Sequence, residues 1–402
     1  MPVPLLDLSA QNLSLEAELK AAFERVLRSS QFILGKEVTA LEHAMEEFTG
    51  AKHAIGVSSG TDAILLALMA ADIGRGDEVL CPTFTFFATA GCVARVGATP
   101  VFVDADPLTF NLDVADAGRR ITSRTKAVIP VHLFGQAAAM DEVMSLTAKH
   151  DLIVIEDAAQ SLGATFREKQ LGTIGHLGTY SFFPSKNLGG FGDGGLLVTN
   201  DDALAERCRL LRTHGAKPKY HHKLVGGNFR LDALQAALLA VKLPHCATYT
   251  QLRRKNAQYY MSHLSLIPGV VAADQPKVAD APVMLPVARE GNHHIWNQYV
   301  LRVPGAGRRD VLRTLFDARK VGTEIYYPVP MHVQECFSSL GYKACDLPVS
   351  MTLASEALGI PVFPELTCAQ LDEVIEIIAD FCGESAGEHE RPLQQVSGDK
   401  GR

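Results

Sequence analysis

Three short segments of this 402-residue chain combine residue types that could together bind a phosphorylated ligand. The first is 58–62, Ser-Ser-Gly-Thr-Asp, which follows an apolar run and precedes a helical pattern. A glycine turn at a helix N-terminus offers free backbone N–H groups and the positive end of the helix dipole, and Thr61 adds a hydroxyl. This arrangement favours a phosphate site, although Ser, Thr and Asp are also the usual residues of a simple N-cap.

The second segment is an apolar strand pattern that ends in two adjacent carboxylates, Glu156 and Asp157, with Gln160 three residues further on. The carboxyl ends of strands are where open α/β sheets bind their ligands. A carboxylate at this position could hold a cationic group of a ligand or coordinate Mg²⁺, and a helix cap is the alternative interpretation.

The third segment places Lys186 after another strand pattern, in a loop with five glycines between 189 and 195. Lysine is usually a solvated surface charge, but a buried amine with a lowered pKa would be suited to forming an imine. Gly190, Gly192 and Gly195 formally match the dinucleotide motif G-x-G-x-x-G. That interpretation is weak, because these glycines lead into a strand and not into a helix.

These three signals fit one cofactor better than they fit three separate roles. Pyridoxal 5'-phosphate (PLP) needs a cradle for its phosphate, a carboxylate that keeps its pyridine nitrogen protonated, and a lysine that forms an imine with it. The protonated ring then acts as an electron sink when a proton leaves the substrate. The sequence therefore predicts a PLP enzyme, with these groups brought together at one edge of a sheet.

The elements that would position these groups follow a regular alternation between about residues 50 and 200. Short apolar runs are separated by segments, such as Ala63–Ala71 and Met140–Lys149, whose apolar residues recur every three or four positions. The runs predict strands at His53–Val57, Glu78–Cys81, Pro100–Val103, Ala127–Val131, Leu152–Glu156, Gly178–Phe183 and Leu196–Thr199. Strands that are apolar on both faces indicate a largely parallel sheet covered by helices on both sides.

After Thr199 this alternation stops, and the remaining pattern predicts a second, smaller domain. Helices are expected at Ala203–Arg212, Leu231–Leu243, Arg309–Arg319 and Ala369–Phe381, and a strand at Gln298–Val303. We therefore expect a large domain over residues 1–248, including the N-terminal segment, and a small C-terminal domain over 249–383. Residues 384–402 are polar and are expected to form a disordered tail.

Composition and charge exclude several other classes of protein. The chain has 38 Lys and Arg against 45 Asp and Glu, a net charge of −7, which argues against a nucleic-acid binder. Its eight cysteines are scattered, and the adjacent histidine pairs at 221–222 and 293–294 have no neighbouring carboxylates, so no disulfide framework or metal site is predicted. The chain has no leader pattern and no run of 18 apolar residues, so we expect a cytoplasmic protein without membrane contacts.

From about Pro4 to residue 382 the sequence resembles the DegT/StrS family of nucleotide-sugar aminotransferases, within fold-type I PLP enzymes. The resemblance is carried by ordered blocks: SSGTDA (58–63), GDEVLCPTFTFFATA (76–90), GATPVFVDAD (97–106), TKAVIPVHLFG (125–135), IEDAAQSLGA (155–164), SFFPSKNLGGFGDGG (181–195), GGNFRLDALQAA (226–237) and YYPVPMH (326–332). It implies an α/β fold: a large domain with a mostly parallel seven-stranded sheet between helices, and a smaller C-terminal α+β domain.

The resemblance also assigns roles to individual residues around the cofactor. Lys186 matches the imine-forming lysine that also shuttles the proton, and Asp157 matches the partner of the pyridine nitrogen. Gln160 resembles the residue near the ring hydroxyl of the cofactor, and Phe86 matches the aromatic residue that stacks on the ring. Residues that match the phosphate binders are Gly60, Thr61 and Ser181.

Three further residues match positions outside this set. Asn228 matches a phosphate contact supplied by the partner subunit, which implies a homodimer with two shared active sites. Tyr326 and His332 match a block near the sugar-nucleotide site, with a purely structural role at the interface as the alternative. Asn297 stands where many relatives have His, a departure that affects the donor or sugar contact in its loop.

The activity implied by the resemblance is transfer of an amino group from L-glutamate to a keto sugar linked to a nucleoside diphosphate. The loop sequence KNLGGFGDGG looks more like that of members acting on 3-keto sugars than of those acting at carbon 4. Relatives with His in place of the lysine act as dehydratases, and Lys186 favours transamination. A cysteine desulfurase would need a catalytic loop cysteine in a recognisable setting, and a regulatory protein without turnover would not need a loop lysine.

Overall fold

The computed structural model describes residues 2–275 and 281–389. Its helices are, in chain order, α1 (Ser9–Ser14), α2 (Glu16–Ser29), α3 (Lys36–Thr49), α4 (Gly60–Ala70), α5 (Ala88–Arg95), α6 (Val114–Arg120), α7 (Met140–His150), α8 (Asp202–Leu211), α9 (Ala233–Lys242), α10 (Cys246–Leu264), α11 (Arg308–Ala318), α12 (Pro348–Glu356) and α13 (Cys368–His389). Its strands are β1 (His53–Val57), β2 (Glu78–Pro82), β3 (Thr99–Val103), β4 (Thr125–Val128), β5 (Ile153–Asp157), β6 (Thr165–Phe166), β7 (Lys169–Gln170), β8 (Leu177–Ser181), β9 (Gly195–Thr199), β10 (Val270–Ala272), β11 (Val283–Leu285), β12 (Asn292–His293), β13 (Tyr299–Arg302) and β14 (Ala357–Ile360).

The main sheet has seven strands in the order β1-β9-β8-β5-β4-β2-β3. Pairing is parallel from β8 through β5, β4 and β2 to β3, and β9 runs antiparallel to both of its neighbours. The expected mostly parallel, seven-stranded sheet is therefore confirmed. The glycines before β9 lead into a strand, as the sequence indicated.

Helices cover both faces of this sheet because its strands are apolar on both faces. One face packs against α4, α5 and α8 in a core that includes Ile55, Leu66 and Leu197. The other face packs against α3 and α9 in a core that includes Leu41 and Leu196. The two side chains Leu196 and Leu197 are adjacent in β9 and enter opposite cores, which is the strict alternation that a strand buried on both sides requires.

Strand β4 ends three residues earlier than the sequence pattern predicts, and Pro130 explains the difference. The apolar run was expected to pair through Val131, whereas the strand ends at Val128. Pro130 has no backbone N–H for a further ladder bond. Val131 forms only an isolated bridge with Asp157, so the chain leaves the sheet beside the end of β5.

A second sheet, β10-β11-β13-β14, forms the core of the C-terminal part. This core includes Tyr260, Leu301 and Ile378 from α10, β13 and α13, and also Val3 from the N-terminal segment, which pairs with Val321. The division expected between residues 248 and 249 falls inside α10. Helix α13 runs to His389, past the expected start of the tail, and residues 390–402 lie outside those the structure describes.

A third, small sheet of order β12-β6-β7 connects these two parts of the chain. Its antiparallel pairs join Asn292 to Phe166 and His293 to Thr165. Within the residues described, no helix combines the length and apolar character needed to cross a membrane.

Candidate active site

The glycine turn before α4 lies against the end of β8. Gly60 opens α4, and a Cβ built on it would stand 2.8 Å from the Cβ of Ser181. Only glycine allows this approach, so the helix N-terminus that carries Thr61 sits beside the hydroxyl of Ser181. The structure thus brings together the three residues expected to bind phosphate.

The same turn is also a regular N-cap, the alternative that the sequence left open. The Ser59 hydroxyl accepts a hydrogen bond from the backbone N–H of Asp62 at 3.0 Å, and the Ser58 hydroxyl donates to the Asp62 carboxylate at 2.6 Å. The two interpretations are compatible, since the capping bonds fix the turn and leave the first N–H groups of α4 available to an anion.

Asp157 ends β5 and is buried, with 5% of its surface exposed. Its Oδ2 accepts a hydrogen bond from the Thr89 hydroxyl at 2.8 Å, and its Oδ1 accepts from the backbone N–H of Ala159 at 3.2 Å. Burial raises the pKa of this carboxyl, an effect that these two bonds and the charge of Lys186 oppose. A buried carboxylate of this kind is suited to receive a cationic group.

Lys186 lies in the loop after β8, and burial lowers the pKa of its amine to about 8 while the charge of Asp157 acts in the opposite direction. The loop is fixed to the helices behind it. Asn187 donates to the Thr250 hydroxyl at 2.9 Å, and the buried Lys242 donates from Nζ to the carbonyl of Gly189 at 2.6 Å. The loop that carries Lys186 is therefore anchored, and its amine interacts electrostatically with the strand-end carboxylate of Asp157.

Gln160 and Phe86, the two residues expected near the cofactor ring, differ in their surroundings. Gln160 is 8% exposed, and its amide bonds the backbone N–H of Phe134 and the hydroxyl of Tyr327. Phe86 follows β2 and is 60% exposed, so its ring is available to stack against a bound group. The stacking role and the contact with the ring hydroxyl remain predictions.

Asn228 lines a cleft together with Ser58, Ser59, Asp193 and Arg230. The backbone places it there, because the neighbouring Phe229 carbonyl accepts a hydrogen bond from the Ser58 N–H at 3.0 Å. Within one chain, Asn228 therefore lies next to the glycine turn. Its expected contact with the phosphate of a second subunit remains a prediction.

Tyr326 and His332 have different settings. Tyr326 is half-buried, packs its ring against Phe134 at 5.8 Å, and has its pKa raised to about 12 by burial. His332 is 1% exposed, and its Nδ1 forms a hydrogen bond with the Thr83 hydroxyl at 2.7 Å. Thr83 lies in the loop that leads to Phe86, so His332 supports that loop. A substrate contact for either residue remains a prediction.

Two residues that the sequence analysis did not single out contact the predicted site. Thr89 bonds Asp157, and Tyr327 bonds Gln160. Both lie within blocks already noted for their resemblance, GDEVLCPTFTFFATA and YYPVPMH, but their positions in those blocks gave no indication of a partner. Among the residues described, no group of three His, Cys, Asp or Glu side chains is placed to hold a metal ion.

This geometry can be compared with known proteins. The model of the DegT/DnrJ/EryC1/StrS aminotransferase family matches residues 13–379, and the chain belongs to this family. The chain is 48% identical over 381 residues to a pleiotropic regulatory protein of Geobacillus stearothermophilus, covering 95% of this chain and 99% of the relative.

An enzyme and a solved structure are also similar over nearly the whole chain. The UDP-N-acetyl-3-dehydro-alpha-D-glucosamine 3-aminotransferase of Acidithiobacillus ferrooxidans is 42% identical over 376 residues, covering 94% of this chain and 97% of that enzyme. The crystal structure of S. venezuelae DesV in complex with a ketimine intermediate has a TM-score of 0.89 and 38% identity, covering 98% of this chain and 100% of that chain. The fold predicted from the resemblance is thereby confirmed.

Proposed function

We propose that this protein is a PLP-dependent aminotransferase that moves the amino group of L-glutamate to carbon 3 of a nucleoside-diphosphate keto sugar. The observation that carries the proposal is the pairing of Lys186 with Asp157. An amine whose pKa is lowered to about 8 and a buried carboxylate lie at the edge where the glycine turn opens α4. Family membership and the aminotransferase relatives support the same activity.

The residues present fit the cofactor. The N–H groups of the first turn of α4, with Thr61 and Ser181, would bind the phosphate. Because Gly60 has no side chain, the N-terminus of α4 can lie directly beside Ser181, so these groups can face the same phosphate. Asp157 would hold the ring nitrogen in its protonated form, and Phe86 would pack on the ring. When bound, PLP supplies an electron sink that stabilises the negative charge left when a carbon loses its proton.

Lys186 would perform two tasks in this proposal. Its Nζ would hold the cofactor covalently, and once released Nζ would accept the proton that the α-carbon of the donor amino acid loses and would then give that proton up again. A pKa near 8 suits both tasks, because the amine can then lose and regain a proton near neutral pH. The hydrogen bonds made by Asn187 and Lys242 hold the loop that carries Lys186 in one position while these steps take place.

Amination at carbon 3 is supported by two observations. The loop sequence KNLGGFGDGG after the strand resembles that of members acting on 3-keto sugars. The Acidithiobacillus relative is named as a 3-aminotransferase of a UDP-linked 3-dehydro sugar. We expect turnover with a 3-keto sugar nucleotide and much less with a 4-keto isomer.

A regulatory role is the second candidate, because the Geobacillus relative is named as a pleiotropic regulatory protein. The presence of both Lys186 and Asp157 supports catalysis over sensing, since binding alone requires no amine of lowered pKa.

A sugar dehydratase is less well supported, because Lys186 is present where relatives with that activity have His.

The absorption spectrum of the purified protein tests the proposal. The protein loaded with PLP should be yellow, and adding L-glutamate should remove the absorption band that gives this colour.

Variants test the role of the lysine. Lys186→Ala should abolish turnover, and Lys149→Ala, at an exposed lysine at the end of α7, should leave turnover unchanged. No band after adding PLP would favour the regulatory role, and a band that ignores glutamate would reopen the dehydratase alternative.

A further inference from the structure

Gln160 is held at both ends of its amide group. Its Oε1 accepts a hydrogen bond from the backbone N–H of Phe134 at 2.7 Å, and its Nε2 donates to the hydroxyl oxygen of Tyr327 at 2.9 Å. A backbone N–H is only a donor, so the end of the amide that meets Phe134 must be the oxygen. In the described part of the chain, the second N–H of Nε2 has no acceptor.

The two partners of Gln160 cannot easily move away from it. Phe134 and Tyr327 both have backbone φ angles in the left-handed region, 60° and 57°, which non-glycine residues adopt only when their surroundings impose it. Their rings lie nearly parallel, 8° apart with centroids at 6.4 Å, and Phe84 packs edge-on against Tyr327 at 5.4 Å. The packing therefore fixes the position of the hydroxyl that receives the Gln160 bond.

We infer that Tyr327 is a positioning residue, which holds Gln160 so that an N–H of Nε2 faces the ring oxygen of PLP. This inference rests on the proposed function, in which Gln160 lies beside that oxygen. An N–H donor stabilises negative charge on the ring oxygen. Without Tyr327, the amide keeps its bond to Phe134 but its nitrogen is free to turn away from the cofactor.

The consequence is a change in the acidity of Lys186 when it is bound to the cofactor. The negative charge on the ring oxygen is greatest when the Lys186 nitrogen is unprotonated, because a proton on that nitrogen partly neutralises it. A donor on the oxygen therefore favours the unprotonated state and lowers the pKa of the Lys186 nitrogen in the holoenzyme.

The test is a pH titration of the absorption spectrum of the holoenzyme with Tyr327→Phe. From about pH 6 to pH 10, the variant should hold a larger protonated fraction at each pH, with the pKa of the Lys186 nitrogen raised by about half a unit to one unit. Tyr342→Phe is the matched control, since it also removes a hydroxyl that accepts one hydrogen bond, from Phe102 N at 3.1 Å, away from Gln160. Its titration should equal that of the wild type.

A double variant separates positioning from a general structural effect. Gln160→Leu should raise the same pKa by at least as much, and adding Tyr327→Phe to it should change nothing further, because the tyrosine acts only through the glutamine. Spectra of Tyr327→Phe that match the wild type at every pH, or additive shifts in the double variant, would overturn the inference. A wild-type protein that develops no cofactor band would instead overturn the proposed function, and the inference with it.

Discussion

At the scale of single residues, the same environment acts on Asp157 and Lys186 in opposite directions. Burial raises the pKa of the carboxyl and lowers that of the amine to about 8, so both groups are moved towards their neutral forms. Both groups are therefore suited to bind a ligand. A cation placed beside the carboxyl stabilises its ionised form, and the neutral amine can form a covalent bond.

The pKa of Lys186 predicts how fast the protein without cofactor captures PLP at different pH values. Only the neutral amine attacks the aldehyde, and below pH 8 most of the amine is protonated. The rate should therefore rise about eightfold between pH 6.5 and 7.5 and level off above about pH 9. Stopped-flow absorbance measures it, and a rate that does not increase with pH would contradict the pKa assigned to this lysine.

The hydrogen bond from Thr89 to Asp157 predicts a second effect on activity. The bond lowers the pKa of the carboxyl, so Thr89→Val should raise that pKa and weaken the hold on the ring nitrogen. We expect kcat/KM near pH 7 to fall about tenfold, with part of the loss recovered at higher pH as Asp157 ionises. Thr147→Val, at a buried threonine of α7, is the control and should retain full kcat/KM.

At the scale of secondary-structure elements, the close approach of α4 to β8 decides whether a phosphate can be bound. In Gly60→Ala the new methyl group would stand 2.8 Å from the Cβ of Ser181, so the helix N-terminus must shift away. The Kd for PLP, measured by equilibrium dialysis, should rise at least about tenfold. Gly118→Ala, in α6, is the control: its nearest neighbour is the side chain of Leu146 in α7 at 3.5 Å, and this variant should bind PLP like the wild type.

The strands and helices around the site were predictable because their patterns are local. A run that is apolar on both faces can be recognised without knowing its neighbours, and the seven predicted strands are all present. Contacts between distant segments could not be predicted in this way. Val3 pairs with Val321, and Tyr327 bonds Gln160, because the tertiary fold brings them together, and neither residue type indicates such a partner.

At the scale of the whole molecule, apolar side chains remain exposed around one groove. Leu13 is 66% exposed, Phe23 47% and Phe191 46%, and the three line this groove with Leu238. Phe191 belongs to the glycine-rich loop that follows Lys186, so this loop links the groove to the predicted site. Exposed apolar surface of this kind favours burial against another protein, and the homodimer with shared active sites remains our prediction for what covers it.

Mixed dimers test whether two subunits share each site. Neither Lys186→Ala nor Asn228→Ala should form an active homodimer, since each lacks one group at both sites. In a heterodimer with shared sites, one site receives both altered residues and the other receives none, so that second site is intact. With random pairing, half of the dimers are mixed and half of their sites are intact, which predicts about a quarter of wild-type activity per site. Sites built from one chain would each carry one altered residue in the same mixture, and co-expression would then restore no activity.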